Sequence, residues 1–216
     1  MLSGWNLCII RTIIFRSPHP DVLIPEIPLC QFVLERARRL GDKPALIEGP
    51  TGRTLSYTEL VEGVEGLAAG LARRGFQKGD GVGLLSPNSP EYVVVLLAVS
   101  LLGGVTTTLN PLYTPAEIRS QVEDARSRFF FSHVAFEKKV LQALEGSSLS
   151  VGFFGGEEEG KRWPTEFMSC GSKVIQVGLD PFRDVVMLPY SSGTTGFPKG
   201  VMLTHFNLIA NICQLN

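Results

Sequence analysis

Nothing in this sequence is apolar for long enough to cross a bilayer. The longest apolar run, Tyr92 to Leu102, falls well short of the roughly twenty residues a spanning helix needs, so no transmembrane helix is predicted. Charge of one sign is missing as well. Twenty basic and 21 acidic residues leave a net charge of -1, and with no global field neither nucleic acid nor an anionic membrane is indicated as a partner. Cysteine is scarce: Cys8, Cys30, Cys170 and Cys213 are widely scattered with no C-x-x-C pair, which argues against a zinc site or a disulfide framework and fits a reducing compartment. A secretory signal is also absent from Met1 to Arg16, because Arg11 interrupts the apolar core and no small-residue cleavage site follows. That segment has two arginines and no acid, which keeps organelle targeting as its alternative to an ordinary leader over residues 1–20.

What is present is rhythm. Leu29, Phe32, Val33, Leu34, Ala37 and Leu40 recur at helical spacing and predict an opening helix over 29–40. Ala45-Leu46-Ile47 and Arg53 to Tyr57 flank Gly49-Pro50-Thr51-Gly52 and predict a hairpin. Thr58 is the expected N-cap of a helix running to Gly75. Gly81 to Leu85 reads as a buried strand, and Ser89-Pro90-Glu91 as the start of a buried helix to about Leu102. Val105 to Leu109 resumes as strand, and Thr114-Pro115-Ala116-Glu117 has the spacing of a capping box. Strands at 129–131 and 151–154 bracket a helix at 136–144. Gly155 to Gly171, with Glu157-Glu158-Glu159, reads as a solvated loop, and nothing in it supports a metal site. Strands follow at 174–177 and 185–188, then a further strand at 201–203 and a helix capped by Thr204, with Leu208, Ile212 and Leu215 on one face. Strands alternating with helices predict an α/β fold, an open, mostly parallel sheet with flanking helices.

Between the last two strands lies the stretch that carries chemistry. Ser191, Ser192, Gly193, Thr194, Thr195 and Gly196 have little side-chain bulk, so the backbone can approach a ligand and offer successive N–H donors beside hydroxyls. Gly193, Gly196 and Gly200 can turn consecutive amides inward into an anion-binding nest, and Lys199 adds a fixed positive charge. This is chemistry for holding phosphate. A Ser/Gly linker has the same composition but no need for strands on both sides or for a lysine behind a proline. A Walker loop requires Lys directly after the last Gly, whereas Phe197 and Pro198 intervene here and Gly200 stands where Ser or Thr belongs.

Ser191 to Val201 resembles the AMP-binding signature of the adenylate-forming enzymes. Within that superfamily the chain is most similar to 4-coumarate:CoA ligase-like acyl-CoA synthetases, through Leu188-Pro189-Tyr190 and Met202-Leu203-Thr204-His205 around the loop and, upstream, Phe15-Arg16-Ser17, Leu85 to Glu91 and Asn110 to Glu117. The resemblance runs from about Phe15 to the end. It implies that residues 21–216 are the N-terminal part of an adenylate-forming large domain, cut after the phosphate loop and before the family's adenine, ribose and acyl positions and its C-terminal domain. It implies ATP and coenzyme A as co-substrates of a carboxylic acid, aromatic or fatty, with Mg²⁺ accompanying the pyrophosphate chemistry. The acid attacks the α-phosphorus, and the acyl-adenylate is then captured by the thiol. Ser191, Ser192, Gly193, Thr194, Thr195, Gly196 and Lys199 are then expected at the ATP phosphates and His205 near the carboxylate or adenylate, although a lone histidine is otherwise a structural group. Tyr190 is expected to pack under the loop. The expected location is cytoplasmic or peroxisomal, with mitochondrial targeting as the alternative. The competing functions are a nucleotide-binding fragment or regulatory isoform without turnover, and a luciferase-like oxygenase.

Overall fold

The computed structural model describes residues 18, 20–155, 163–169, 177–191 and 198–215. Within them the elements run α1 (Leu29–Leu40), β1 (Pro44–Ile47), β2 (Thr54–Ser56), α2 (Tyr57–Arg73), β3 (Gly81–Leu85), α3 (Pro90–Leu101), β4 (Val105–Leu109), α4 (Pro115–Asp124), β5 (Ser127–His133), α5 (Glu137–Ala143), β6 (Ser150–Phe154), β7 (Val185–Met187), β8 (Tyr190–Ser191), β9 (Lys199–Gly200), β10 (Leu203–Thr204) and α6 (His205–Gln214). Six strands form one sheet in the order β10-β7-β4-β3-β5-β6, and every neighbouring pair is parallel except β10 with β7. The expected open, mostly parallel sheet is therefore present. β1 and β2 pair as the predicted hairpin, with Ile47 opposite Thr54.

Alternation along the central strands assigns the two faces. Val82 and Leu84 of β3, with Phe129 and Phe131 of β5, meet α1, α2 and α3 in one core, while Leu85 and Phe130 meet Ile118 and Val122 of α4 and Val140 and Ala143 of α5 in another. Phe130 and Phe131 are fully buried on opposite faces, each stabilising the fold by about 1.5–3 kcal/mol relative to exposure. A third, smaller cluster joins Leu29 and Phe32 of α1 to Val186 of β7 and Ile209 of α6. It is the base on which the candidate site stands.

Helix ends follow the capping chemistry with one correction. Ser89 and Thr114 cap α3 and α4 as expected, and Thr114 with Glu117 makes the reciprocal box. The cap of α2 is Ser56 instead of Thr58, because Glu59 stands three residues after Ser56 and returns its carboxylate to the Ser56 N–H at 2.8 Å. Nothing comparable follows Thr58, whose hydroxyl bonds Asp42.

Three further expectations are revised. Trp163–Ser169, assigned to a solvated loop, is docked along α2: the Ser169 N–H donates to the Gly66 carbonyl at 3.0 Å, and the Phe167 ring meets Phe131 edge-on at 4.9 Å. The strand expected at 201–203 begins later, at Leu203, leaving Val201 and Met202 exposed. In α6 it is Ile209 that is fully buried, while Leu215 lies beyond the helix and is exposed. The strand expected at 174–177 falls, apart from Val177, outside the described residues.

Candidate functional site

The chain enters the glycine and hydroxyl stretch from the interior of the sheet. Val186 is fully buried, and Leu188 continues beside β4 by donating its N–H to the Thr106 carbonyl at 2.9 Å and accepting from the Thr107 hydroxyl at 2.9 Å. After Pro189 the chain leaves the sheet and forms a short hairpin in which Tyr190 pairs with Gly200 and Ser191 with Lys199. The Val201 N–H closes it on the Pro189 carbonyl at 2.8 Å. Ser192, Gly193, Thr194, Thr195 and Gly196 lie outside the described residues. The loop is thus carried on its own two-pair ladder, and the sheet strands on either side of it, β7 and β10, are themselves neighbours.

Register decides which groups share a surface. Residues directly opposite in an antiparallel pair project to the same face, so the Ser191 and Lys199 side chains leave the hairpin on one face at the root of the loop. Both residues are exposed, and among the described residues no carboxylate is paired with Lys199. Its charge is therefore available to an anion. Gly200, opposite Tyr190, is closely approached: a Cβ there would stand 3.1 Å from the Leu188 side chain and 3.3 Å from the Tyr190 ring, so either side chain would have to give by a few tenths of an ångström. Tyr190, expected under the loop, lies opposite Gly200 in the hairpin, and its hydroxyl donates to the Asp124 carboxylate at the end of α4; the loop residues it was expected to pack under are outside the described residues. Burial, reinforced by that carboxylate, pushes the phenol well above its ordinary range, so Tyr190 stays a neutral donor.

His205 is placed differently. It is the first residue of α6, fully buried, and its Nδ1 accepts the Leu29 N–H at 3.1 Å. With Nδ1 as acceptor the neutral ring carries its proton on Nε2, and that atom is buried with no partner among the described residues. Burial lowers the His205 pKa; the nearby Asp184 carboxylate opposes that shift and Lys78 adds to it. Lys78 and Asp184 pair at 2.6 Å. The structure therefore brings Ser191 and Lys199 together on one exposed surface and sets His205 apart, in the interior.

Three residues at the site's foundation carried no sequence signal. Thr107, Gln121 and Asp124 stand 81, 67 and 66 positions before the residues they help to hold, counting Thr107 to Leu188, Gln121 to Leu188 and Asp124 to Tyr190. Periodicity identifies a helix face but not its partner. For metal, no group of three or more His, Cys, Asp or Glu residues among those described could hold an ion. These residues do not by themselves fit a Mg²⁺ site, so no step is derived through one.

A family model described as "AMP-binding enzyme" matches residues 33–216. The chain is 43% identical over 203 residues to 4-coumarate–CoA ligase 5 of Oryza sativa subsp. japonica and 39% identical over 209 residues to 4-coumarate-CoA ligase 1 of Narcissus pseudonarcissus, covering 94% and 93% of this chain. It spans 37% of the length of each of those relatives. Among solved structures, a long-chain-fatty-acid-CoA ligase from Archaeoglobus fulgidus superposes with a TM-score of 0.80 at 32% identity, over 93% of this chain and 41% of that one. A benzoate CoA ligase from Burkholderia xenovorans LB400 shares the fold at a TM-score of 0.72 and 22% identity, over 84% and 35%.

Proposed function

Since the chain belongs to the AMP-binding enzyme family, we propose that it supplies the nucleotide-phosphate site of an ATP-dependent carboxylic acid:CoA ligase, with aromatic acids of the 4-coumarate class as the first substrates to test. One observation carries the reading: Ser191 and Lys199 are register partners at the root of a loop built from Ser, Thr and Gly, so a hydroxyl and a cation with no carboxylate partner among the described residues leave the hairpin on one face.

In the first half-reaction a carboxylate oxygen attacks the α-phosphorus and the bond to pyrophosphate breaks. Negative charge grows on the phosphate oxygens, and preorganised donors aimed there lower the barrier more than they tighten the ground state. Ser191, Lys199 and the loop residues Ser192, Gly193, Thr194, Thr195 and Gly196 are assigned to that task. His205 is assigned to the carboxylate or adenylate through Nε2–H, the one donor of its ring not already committed. In the second half-reaction the thiol of coenzyme A takes the acyl group and AMP leaves.

The test is carboxylate-dependent exchange of labelled pyrophosphate into ATP, together with acyl-CoA formation, across cinnamic and medium- to long-chain acids. Exchange with at least one acid is expected of a chain extended to the length of those relatives. ATP binding with no exchange for any acid would replace the ligase reading with that of a nucleotide-binding protein, and no ATP binding would remove both.

A further inference from the structure

We propose that Gln121 and Asp124 of α4 are positioning residues that set the place of the hairpin carrying Ser191 and Lys199, an inference that rests on the phosphate-binding reading above. The two are three residues apart and so lie on one face of the helix. Each reaches the entry side of the hairpin by a different route.

Gln121 is buried, and its side-chain amide nitrogen donates to the Thr107 hydroxyl at 2.8 Å and to the Thr108 carbonyl at 3.1 Å. The carboxamide cannot be turned around, because its oxygen would then face the Thr108 carbonyl oxygen with no hydrogen between them. That fixes the direction of the next bond. Thr107, also buried, accepts from Gln121, so its own single proton is committed to the Leu188 carbonyl at 2.9 Å. Leu188 is held at its N–H by Thr106 as well. Both backbone groups of the residue two positions before the hairpin's first pair are thus fixed from β4, and one of them is under the control of α4.

Asp124 takes the second route, accepting from the Tyr190 hydroxyl. A carboxylate in the last turn of a helix faces the negative end of the dipole, and α4 has no basic residue there to offset it. The placement is unfavourable for the helix alone. It is accounted for by the bond to Tyr190. Pro189, with its φ fixed by the ring, lies between the two anchored residues, so Leu188, Pro189 and Tyr190 enter the loop as one rigid piece.

The exit side is tied to the sheet further from the hairpin, where Leu203 pairs with Met187 of β7. Lys199 and Gly200 are held by pairing to Ser191 and Tyr190, and Val201 by the Pro189 carbonyl. The position of the Lys199 ammonium is consequently inherited from Tyr190. Freeing Tyr190 frees the cation, and a phosphate then meets a charge that must be ordered on binding.

The experiment measures ATP affinity by calorimetry for the wild-type chain and for Tyr190→Phe, Asp124→Asn, Gln121→Met and Lys199→Ala, with thermal melts alongside. Tyr190→Phe and Asp124→Asn are each expected to weaken ATP roughly tenfold with an unchanged melt, and their double variant to lose no more than either single one. In the Lys199→Ala background Tyr190→Phe should add almost nothing, since the tether acts by placing that lysine. Equal affinity in wild type and Tyr190→Phe, or a loss that is undiminished in the Lys199→Ala background, overturns the positioning role. Should Gln121→Met fail to fold, Tyr190→Phe, which removes one oxygen from an exposed bond, decides the matter. A wild-type chain that binds no ATP defeats the phosphate reading itself and this inference with it, whereas binding lost in Lys199→Ala and kept in the α4 variants defeats this inference alone.

Discussion

Arg53 holds Glu91 from 38 residues away with both terminal guanidinium nitrogens, at 2.5 and 2.8 Å. Glu91 has no exposure to solvent and stands in the first turn of α3, where the helix dipole also favours an anion. Arg53 is itself steadied by Glu48 at 3.3 Å, so the β1–β2 hairpin is fastened to the buried start of α3 by one guanidinium.

Removing only the cation leaves a buried carboxylate without its main partner. Arg53→Met is expected to lower the unfolding free energy by about 3 kcal/mol, read from the urea midpoint at constant slope. Arg53→Met with Glu91→Gln should recover a large part of that loss, because the charge is then gone. A double variant no more stable than Arg53→Met would show that the ion pair is not the source of the effect.

His205 makes stability depend on pH with a definite sign. Its pKa in the fold lies below the ordinary histidine value of 6.5 because burial disfavours the imidazolium. Above that value both folded and unfolded chains carry the neutral ring. As pH falls through it the unfolded chain gains a proton that the fold resists, so stability drops until the folded-state pKa is reached. His205→Asn keeps an acceptor near the position of Nδ1 and removes the titration. Urea melts at pH 7 and pH 5 should differ less for the variant than for wild type. His133, whose pKa burial also lowers, is present in both and cancels from the comparison.

Lys199→Ala is expected to weaken ATP binding by roughly ten- to a hundredfold, the range of one hydrogen bond to a charged group. The exposed position predicts a melting temperature close to wild type. Undiminished affinity would take the lysine out of the site.

Gly70 and Gly66 lie on the same face of α2 but should respond differently to alanine. A Cβ on Gly70 would stand 1.6 Å from the Phe167 carbonyl oxygen, a backbone atom that can yield only if the docked segment moves. A Cβ on Gly66 would meet the flexible end of Met168 at 3.0 Å. Alanine gains about 1 kcal/mol of helix propensity at either position. Gly66→Ala is therefore expected to be neutral or stabilising. Gly70→Ala should lose stability overall, since displacing Phe167 forfeits about 2 kcal/mol of burial together with the Arg74 guanidinium stacked 4.4 Å over its ring. Paired chemical-denaturation curves would compare them, and a Gly70→Ala protein at least as stable as wild type would contradict the close packing of that strap.

Much of the fold could be read because its signals are local. Ser89-Pro90-Glu91 and Thr114 to Glu117 each hold a complete cap within four residues, and both helices begin where those residues place them. Where two local signals competed, the less complete one misled: Thr58 is a good capping residue, but Ser56 has the glutamate that closes the box. Val201 and Met202 have strand propensity, yet the chain is still leaving the small hairpin there and has not rejoined β7. The loop itself was legible as composition, and the pairing of Ser191 with Lys199 supplied what composition lacks, a direction. Gln121, Asp124 and Thr107 were invisible because each looks like an ordinary polar residue of its own element. The burial of His205 was equally hidden, being decided by Leu29 at the other end of the chain.

That last bond also has a history within each molecule. Leu29 and His205 are 176 residues apart, and at a synthesis rate of roughly 5–20 residues per second the N–H that opens α1 waits on the order of 10–35 s for its acceptor to be made. Leu34 can settle on α2 early, since Leu60, Val64 and Leu67 of the same core follow it closely in the chain. Leu29 and Phe32 cannot, because Val186 and Ile209, which cover them, are translated much later. Until α6 has been made the nascent chain therefore carries an apolar first turn with an unanswered amide, a stretch that a chaperone can grip and that α6 releases.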